Sequence, residues 1–178
     1  MTDNALAILI RSTLLHLLAS QGITDMRVLA AYQPTGQGRE GRAIYFFPIT
    51  DTRYGWQQRK DIYDDATGGQ VHIETQLIES QFQVQGLAPT DPANTEALTA
   101  KDITNLAAML ISSQPFIQAL SDQGIGLQRI TAIRSPFFVN DQGQFEASPS
   151  FDFTVSHKRS ITQITPSIES VELDQTRV

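Results

Sequence analysis

The sequence predicts an α+β fold: a mainly antiparallel β-sheet, helices packed on one face, and a long projecting β-hairpin. Three observations carry that expectation. Apolar residues recur at helical spacing in two places, at the N-terminus and again near the middle of the chain. Runs rich in β-branched and aromatic residues lie between and after them. The resulting order, one helix, several strands, two helices, several strands, lacks the regular alternation that builds a parallel sheet. The 178 residues suffice for one domain, read here as residues 1–160, followed by an extended C-terminal arm, 161–178. A chain of this size buries about 70% of its unfolded surface, so its core needs no staple.

Thr2, Asp3 or Asn4 can cap a first helix that runs to about Ser20 and stops at Gly22. Leu6, Leu9, Ile10, Leu14, Leu17 and Leu18 form its apolar stripe, with Arg11, Ser12 and Ser20 opposite. "MRVLAAY" and "RAIYFFPI" read as strands on either side of the loop "PTGQGREG". A hairpin follows from Arg53 to about Ser80, turning at "ATGG". Each arm has about 11 residues and a reach of roughly 35 Å. In its second arm Val71, Ile73, Thr75 and Leu77 share a face, and the apolar phase then moves by one to Ile78, Phe82 and Val84. That slip predicts a β-bulge in this arm. The outer hairpin is polar, and a two-stranded ribbon without a core beneath it is marginal alone, a first sign of assembly.

"LAPTDPANTEAL" is a proline-bearing linker, and "TAKD", Thr99 to Asp102, is a capping box in its acidic form. Ile103, Leu106, Ala107, Leu110 and Ile111 continue it as a helix. "SSQP" breaks that helix, and Pro115 opens a second with Phe116, Ile117 and Leu120, ended by Gly124 and Gly126. Two further strands surround "NDQG". In the second, Phe145, Ala147, Phe151, Phe153 and Val155 alternate with polar residues, and Pro149 suits an edge or a bulge. The tail alternates only thinly through Ile164, Ile168, Val171 and Leu173.

Composition narrows the function. The net charge is −6, from 19 acids against 13 bases, which disfavours tight nucleic-acid binding because phosphate neutralisation supplies most of that affinity. There are no cysteines, so disulfides, thiolate metal sites and cysteine nucleophiles are out. "MTDNALAILIRSTLL" lacks the cationic start of a signal peptide, and Arg11 and His16 interrupt its apolar run. A soluble protein is expected.

Gly36, Gly38 and Gly41 match the GxGxxG pattern of dinucleotide sites. Such a site needs a helix to start at the third glycine and hold the pyrophosphate. Here "RAIYFFPI", a strand, follows Gly41, so the stretch reads as a mobile surface loop. His16, His72 and His157 have no metal-ligand spacing, and Asp61, Asp64 and Asp65 read as a solvated turn. His157, Lys158 and Arg159 make a short basic step at a strand end. Neither a GxSxG elbow nor a P-loop is present. No catalytic residue, cofactor or metal is expected. Arg53, Tyr54, Trp56 and Arg59 stand out instead, being aromatics and arginines in a polar ribbon. Tyr54, Trp56, Gln58, Lys60 and Ile62 share one strand face by alternation. Such a composition suits an interface anchor; equally, Trp56 could plug the domain's own core where the ribbon begins.

The arrangement resembles neck proteins of tailed bacteriophages, of the tail-terminator or gateway class. The likeness runs from Leu6 to His157. It is carried by the first helix, "AAYQPTGQG", "IYFFPITDTRYGWQQR", "HIETQLIESQFQVQGL", "LTAKDITNLAAMLISSQPFIQAL" and "GIGLQRITAIRSPFFVNDQGQFEASPSFDFTVSH". It implies a structural virion protein with no cofactor. It also implies a homo-oligomeric ring, a hexamer on the sixfold tail, that caps the tail tube and joins it to the head connector or collar. Tube and sheath proteins would be its partners, and double-stranded DNA would pass without specific binding. It implies assembly in the host cytoplasm and no membrane. Under this resemblance Gln37, Arg39 and Arg42 of the glycine loop, and Arg53, Tyr54, Trp56 and Arg59 of the hairpin, become subunit or tail contacts. An acidic lumen would lower friction with passing phosphate. A head-completion or connector protein, and a small enzyme with a site assembled from scattered residues, stay open as alternatives.

Overall fold

The computed structural model describes residues 1–30, 41–66, 68–88, 93–94, 96–139 and 145–166, and the side chains of all of these except 137–139 and 145–147. It is an α+β fold of three helices and a five-stranded open sheet. Helix α1 (Asp3–Ser20) is capped by Thr2, whose side chain accepts from the Ala5 amide. Leu6, Ile10, Leu14, Leu17 and Leu18 are its buried stripe, and Gly22 leaves it at φ +76. Strand β1 (Arg27–Ala30) is followed by two long strands, β2 (Ala43–Asp64) and β3 (Gly69–Leu87). Helix α2 (Ala100–Ile111) opens on a complete capping box. Thr99 accepts from the Asp102 amide while the Asp102 carboxylate accepts from the Thr99 amide and hydroxyl. These hydrogen bonds, the side-chain one first, hold the Asp102 carboxyl below its usual range. Helix α3 (Gln114–Ser121) starts with Pro115 in its first turn.

Strand β4 (Gly126–Ile130), a small β5/β6 hairpin (Phe137–Val139 and Phe145–Ala147) and β7 (Ser150–Pro166) complete the chain. The sheet order is β1-β2-β3-β7-β4. Every neighbour is antiparallel except β1 and β2, which run parallel over four residues. The run expected as one strand from Phe145 to Ser160 is divided at Ser148–Pro149, and its first part pairs with β5 as a separate ribbon.

Residues paired across strands share a face. Val28, Ile44, Phe46, Phe82, Val84, Phe151, Phe153 and Val155 therefore line one side of the sheet, and all are buried with the helices in one cluster. Phe82 stacks on Phe153 at 5.3 Å between ring centroids. Gly86 lets α2 come down onto this side: a Cβ there would lie 2.6 Å from the Ala100 carbonyl oxygen, and its amide donates to Thr104 Oγ1 at 3.0 Å. On the far side of the sheet the buried Asp152 carboxylate accepts from Gln81, Gln83 and Arg134. One side of the body is thus apolar and covered by helices, and the other is polar.

Candidate functional site

Beyond Ser80 the three long strands leave the body together. β2 pairs with β3 out to Asp64–Gly69, and β7 pairs with β3 out to Pro166–Gly69. The projection is therefore a three-stranded ribbon, where the sequence suggested a two-stranded hairpin. Residues 161–166, read as the start of an extended arm, form its third strand, and residues 167–178 lie outside the described residues. β1 pairs with β2 only as far as Phe46, and β4 pairs with β7 only between Phe153 and Ser156. Among the described residues no further strand pairs with either outer edge of the ribbon, the arrangement that leaves an edge available to another chain.

The bulge expected in β3 after Leu77 lies instead on β2, directly opposite. Tyr54 pairs with Leu77 and Gln58 with Thr75, so Gly55, Trp56 and Gln57 together face Gln76. β3 itself is continuous through Leu77 and Ile78. Its phase change has another cause: the apolar residues switch sides of the sheet. Ile78 and Phe82 belong to the helix side, while Leu77, Ile73 and Val71 belong to the far side. Gly55 adopts φ +67, which glycine tolerates and other residues resist. The Gln76 amide closes the bulge by donating to the carbonyl oxygens of Tyr54 (2.6 Å) and Gly55 (3.2 Å). Trp56 is turned outward and is 98% exposed, so it does not plug the core. Tyr54, Gln58, Lys60 and Ile62 do share a face.

Arg53 is exposed on the helix side of β2. On that same side Arg59 Nε lies 3.1 Å from Glu74, and His72 Nδ1 lies 2.6 Å from Asp61. Arg42 is half-buried and lies 3.7 Å from Asp25 at the opposite end of the molecule's long strands. Gln37 and Arg39, with most of the glycine pattern, lie outside the described residues; Gly41 (φ +67) leads directly into β2. The structure thus groups Arg53, Tyr54, Trp56 and Arg59 and leaves Arg42 apart.

Where the ribbon leaves the body, β7 holds a buried histidine that sequence reading set aside. His157 is 2% exposed, with Nε2 3.1 Å from Ser80 Oγ and no partner at Nδ1. Burial, then the Arg159 and Met1 cations, push it below the ordinary histidine range, against Asp51 and Asp3. The Met1 ammonium donates to the Lys158 carbonyl, and Asp3 pairs with Arg159, fastening the start of α1 to β7.

No group of three metal-ligating side chains occurs among the described residues, and no described helix is long and apolar enough to cross a membrane. What the described residues do present is extended strand edges, exposed aromatics and a helix-covered base, the attributes of a structural assembly module. The chain belongs to the family of the E217 gateway protein gp29, whose model matches residues 5–167. It is accordingly a structural phage gateway protein and not an enzyme. No curated protein matches the chain. Among solved structures it is similar to a sheath/tube terminator, in the extended state, of the extracellular contractile injection system PVC. The identity is 12% and the TM-score 0.48. All of this chain is covered, and it spans 63% of the length of that terminator. A likeness at that level adds nothing to the family assignment.

Proposed function

We propose that copies of this chain form the gateway ring of a phage neck, capping the tail tube and joining it to the head connector. DNA passes through the ring without being specifically held. The observation that carries this reading is the gateway family match across residues 5–167. The ribbon supports it, since among the described residues it has no core beneath it and no strand beyond either edge. In this reading residues 1–160 act as one domain, and residues 161–166 act with it as the outer part of the ribbon's third strand. Arg53, Tyr54, Trp56 and Arg59 contact a neighbouring subunit or the tail, as do Gln37, Arg39 and Arg42 at the glycine loop. Six copies form the ring, assembled in the host cytoplasm and then carried in the virion neck.

The test is to replace Lys60–Gln70 with a short Gly-Ser turn and follow both folding and head–tail joining in a phage assembly assay. The shortened protein is expected to melt cooperatively, because none of the buried core lies in that segment, and to fail in joining. Joined particles at the normal yield would show that the ribbon is not the assembly element. Outright unfolding would show that it belongs to the core.

A further inference from the structure

The two sides of the ribbon differ in chemistry. Its helix side holds the cross-strand ion pairs Arg59–Glu74 and Asp61–His72, with Tyr63 and Ile161 as isolated exposed apolar side chains. Its far side carries an apolar row near the tip: Ile62, Val71 and Ile164 are register partners on β2, β3 and β7. Ile73 and, beyond Thr75, Leu77 and Tyr54 add apolar surface toward the body, with Lys60 and Lys158 beside them. A ribbon that simply stood in water would be polar on both sides. This row is also no extension of the protein's own core, because the apolar side of β3 reverses between Leu77 and Ile78. The core uses one side of the sheet and the ribbon uses the other, and in the body that other side is the polar network around Asp152. Among the described residues no core continues onto the row, and Ile62, Leu77 and Ile164 are left exposed.

We propose that the far side of the ribbon packs against a second copy of this chain, with Ile62, Val71 and Ile164 at the centre of the contact and Trp56 at its edge. The proposal rests on the ring reading above. Size favours a chain-to-chain contact. Eleven residues of β3, Gly69–Glu79, in a three-stranded ribbon span about 37 Å by 14 Å, a plan area of about 500 Å². Side-chain relief and the Trp56 edge bring this toward the about 800 Å² per partner of a stable interface. A head-to-tail ring also needs two different surfaces on each copy. The helical layer offers a second one, for Ile8 of α1 and Met109 of α2 are large apolar side chains left 58% and 71% exposed. Tyr54 and Trp56 are of the residue types that concentrate binding energy in such contacts.

Sedimentation velocity on the full-length protein across a concentration series tests this. The wild type should assemble into multiples of the 19.7 kDa chain. Ile62→Lys/Ile164→Lys, on the far side, should remain monomeric with an unchanged cooperative melt. Tyr63→Lys/Ile161→Lys, more exposed still but on the helix side, should assemble like the wild type. Because the chain has no cysteine, Ile164→Cys supplies a single thiol as an independent readout. Its maleimide labelling should be lost on assembly and regained on dilution. A far-side variant that assembles normally, or a thiol that labels equally in both states, overturns the proposal. So does a wild type that stays monomeric but co-sediments with tail tubes through the far side, which would make the tube the occupant. Complementation of particles lacking their gateway protein separates the two readings. A monomeric wild type that restores joining sinks the second-copy contact and leaves the gateway role standing. An assembled wild type, protected at position 164, that fails to restore joining leaves the contact standing and removes the role.

Discussion

The body and the ribbon are made from the same three strands and hold together by different means. In the body β2, β3 and β7 place Phe46, Phe82, Val84, Phe151 and Phe153 under three helices, and all are buried. A few residues further on, no described helix lies over the same strands, and backbone and cross-strand side-chain pairing set their course. Buried area stabilises the first region at roughly 25 cal/mol per Å². The second gains from cross-strand pairs of about 0.2–1 kcal/mol each. Continuity of a strand therefore says little about continuity of stability. What decides it is which side the apolar residues take and whether anything lies over that side.

Substitutions should separate the two regions sharply. The largest effect is expected in the body: Phe153→Ala should cost about 3–5 kcal/mol in urea unfolding, and Leu110→Ala about 2–5 kcal/mol, through the cavities they leave. A change below about 1 kcal/mol at Phe153 would mean that the stacked Phe82–Phe153 pair is not the centre of the core. Smaller than these is the pH effect at the junction. With its pKa lowered by burial and by nearby cations, His157 binds its proton more readily in the unfolded chain. Stability should hold above the unfolded value of about 6.5. It should then fall as the pH drops from there to the folded-state pKa, and level off below it. Melting temperatures recorded from pH 7.5 to 4.5 for the wild type and His157→Gln should diverge on that slope; parallel curves would remove His157 as its cause. Thr99→Ala should cost about 1 kcal/mol through the lost cap of α2. At the low end, Trp56→Ala should leave stability within about 0.5 kcal/mol, despite removing the only tryptophan. A large loss there would place the bulge inside the stable unit and erase the contrast.

Much of the body was legible in the sequence, because burial writes a period into it. The Leu6–Leu18 stripe, the Thr99–Asp102 box and the Phe151–Phe153–Val155 alternation each report a face pressed against something. The parallel pairing of β1 with β2 was not legible, since four residues of strand carry no signal of direction. Nor was the outer half of β7: Ser160 to Pro166 is exposed on both sides, so its alternation is thin and it passed for a loose arm. The phase change at Leu77 was visible but ambiguous, because a bulge and an exchange of sides leave the same trace in one strand. Only the register with β2 and β7 tells them apart. As for the surface, Arg53, Tyr54, Trp56 and Arg59 could be suspected from composition. The row Ile62–Val71–Ile164 could not, since one member lies nearly a hundred residues from the others in the chain.

That distance sets a folding order. β2 and β3 are neighbours in the chain and can zip from their turn as soon as both exist. β7 joins the opposite edge of β3 only after α2, α3 and β4 have been made, with Gly69 finally meeting Pro166. Closing so long a loop is entropically costly and slow. Until it closes, the nascent chain holds Phe82 and Val84 on a strand whose second edge is bare, the condition under which unfinished sheets join the wrong partner. Synthesis of this protein thus includes an interval, between the emergence of β3 and that of β7, in which a half-built sheet is exposed to every other copy being made nearby.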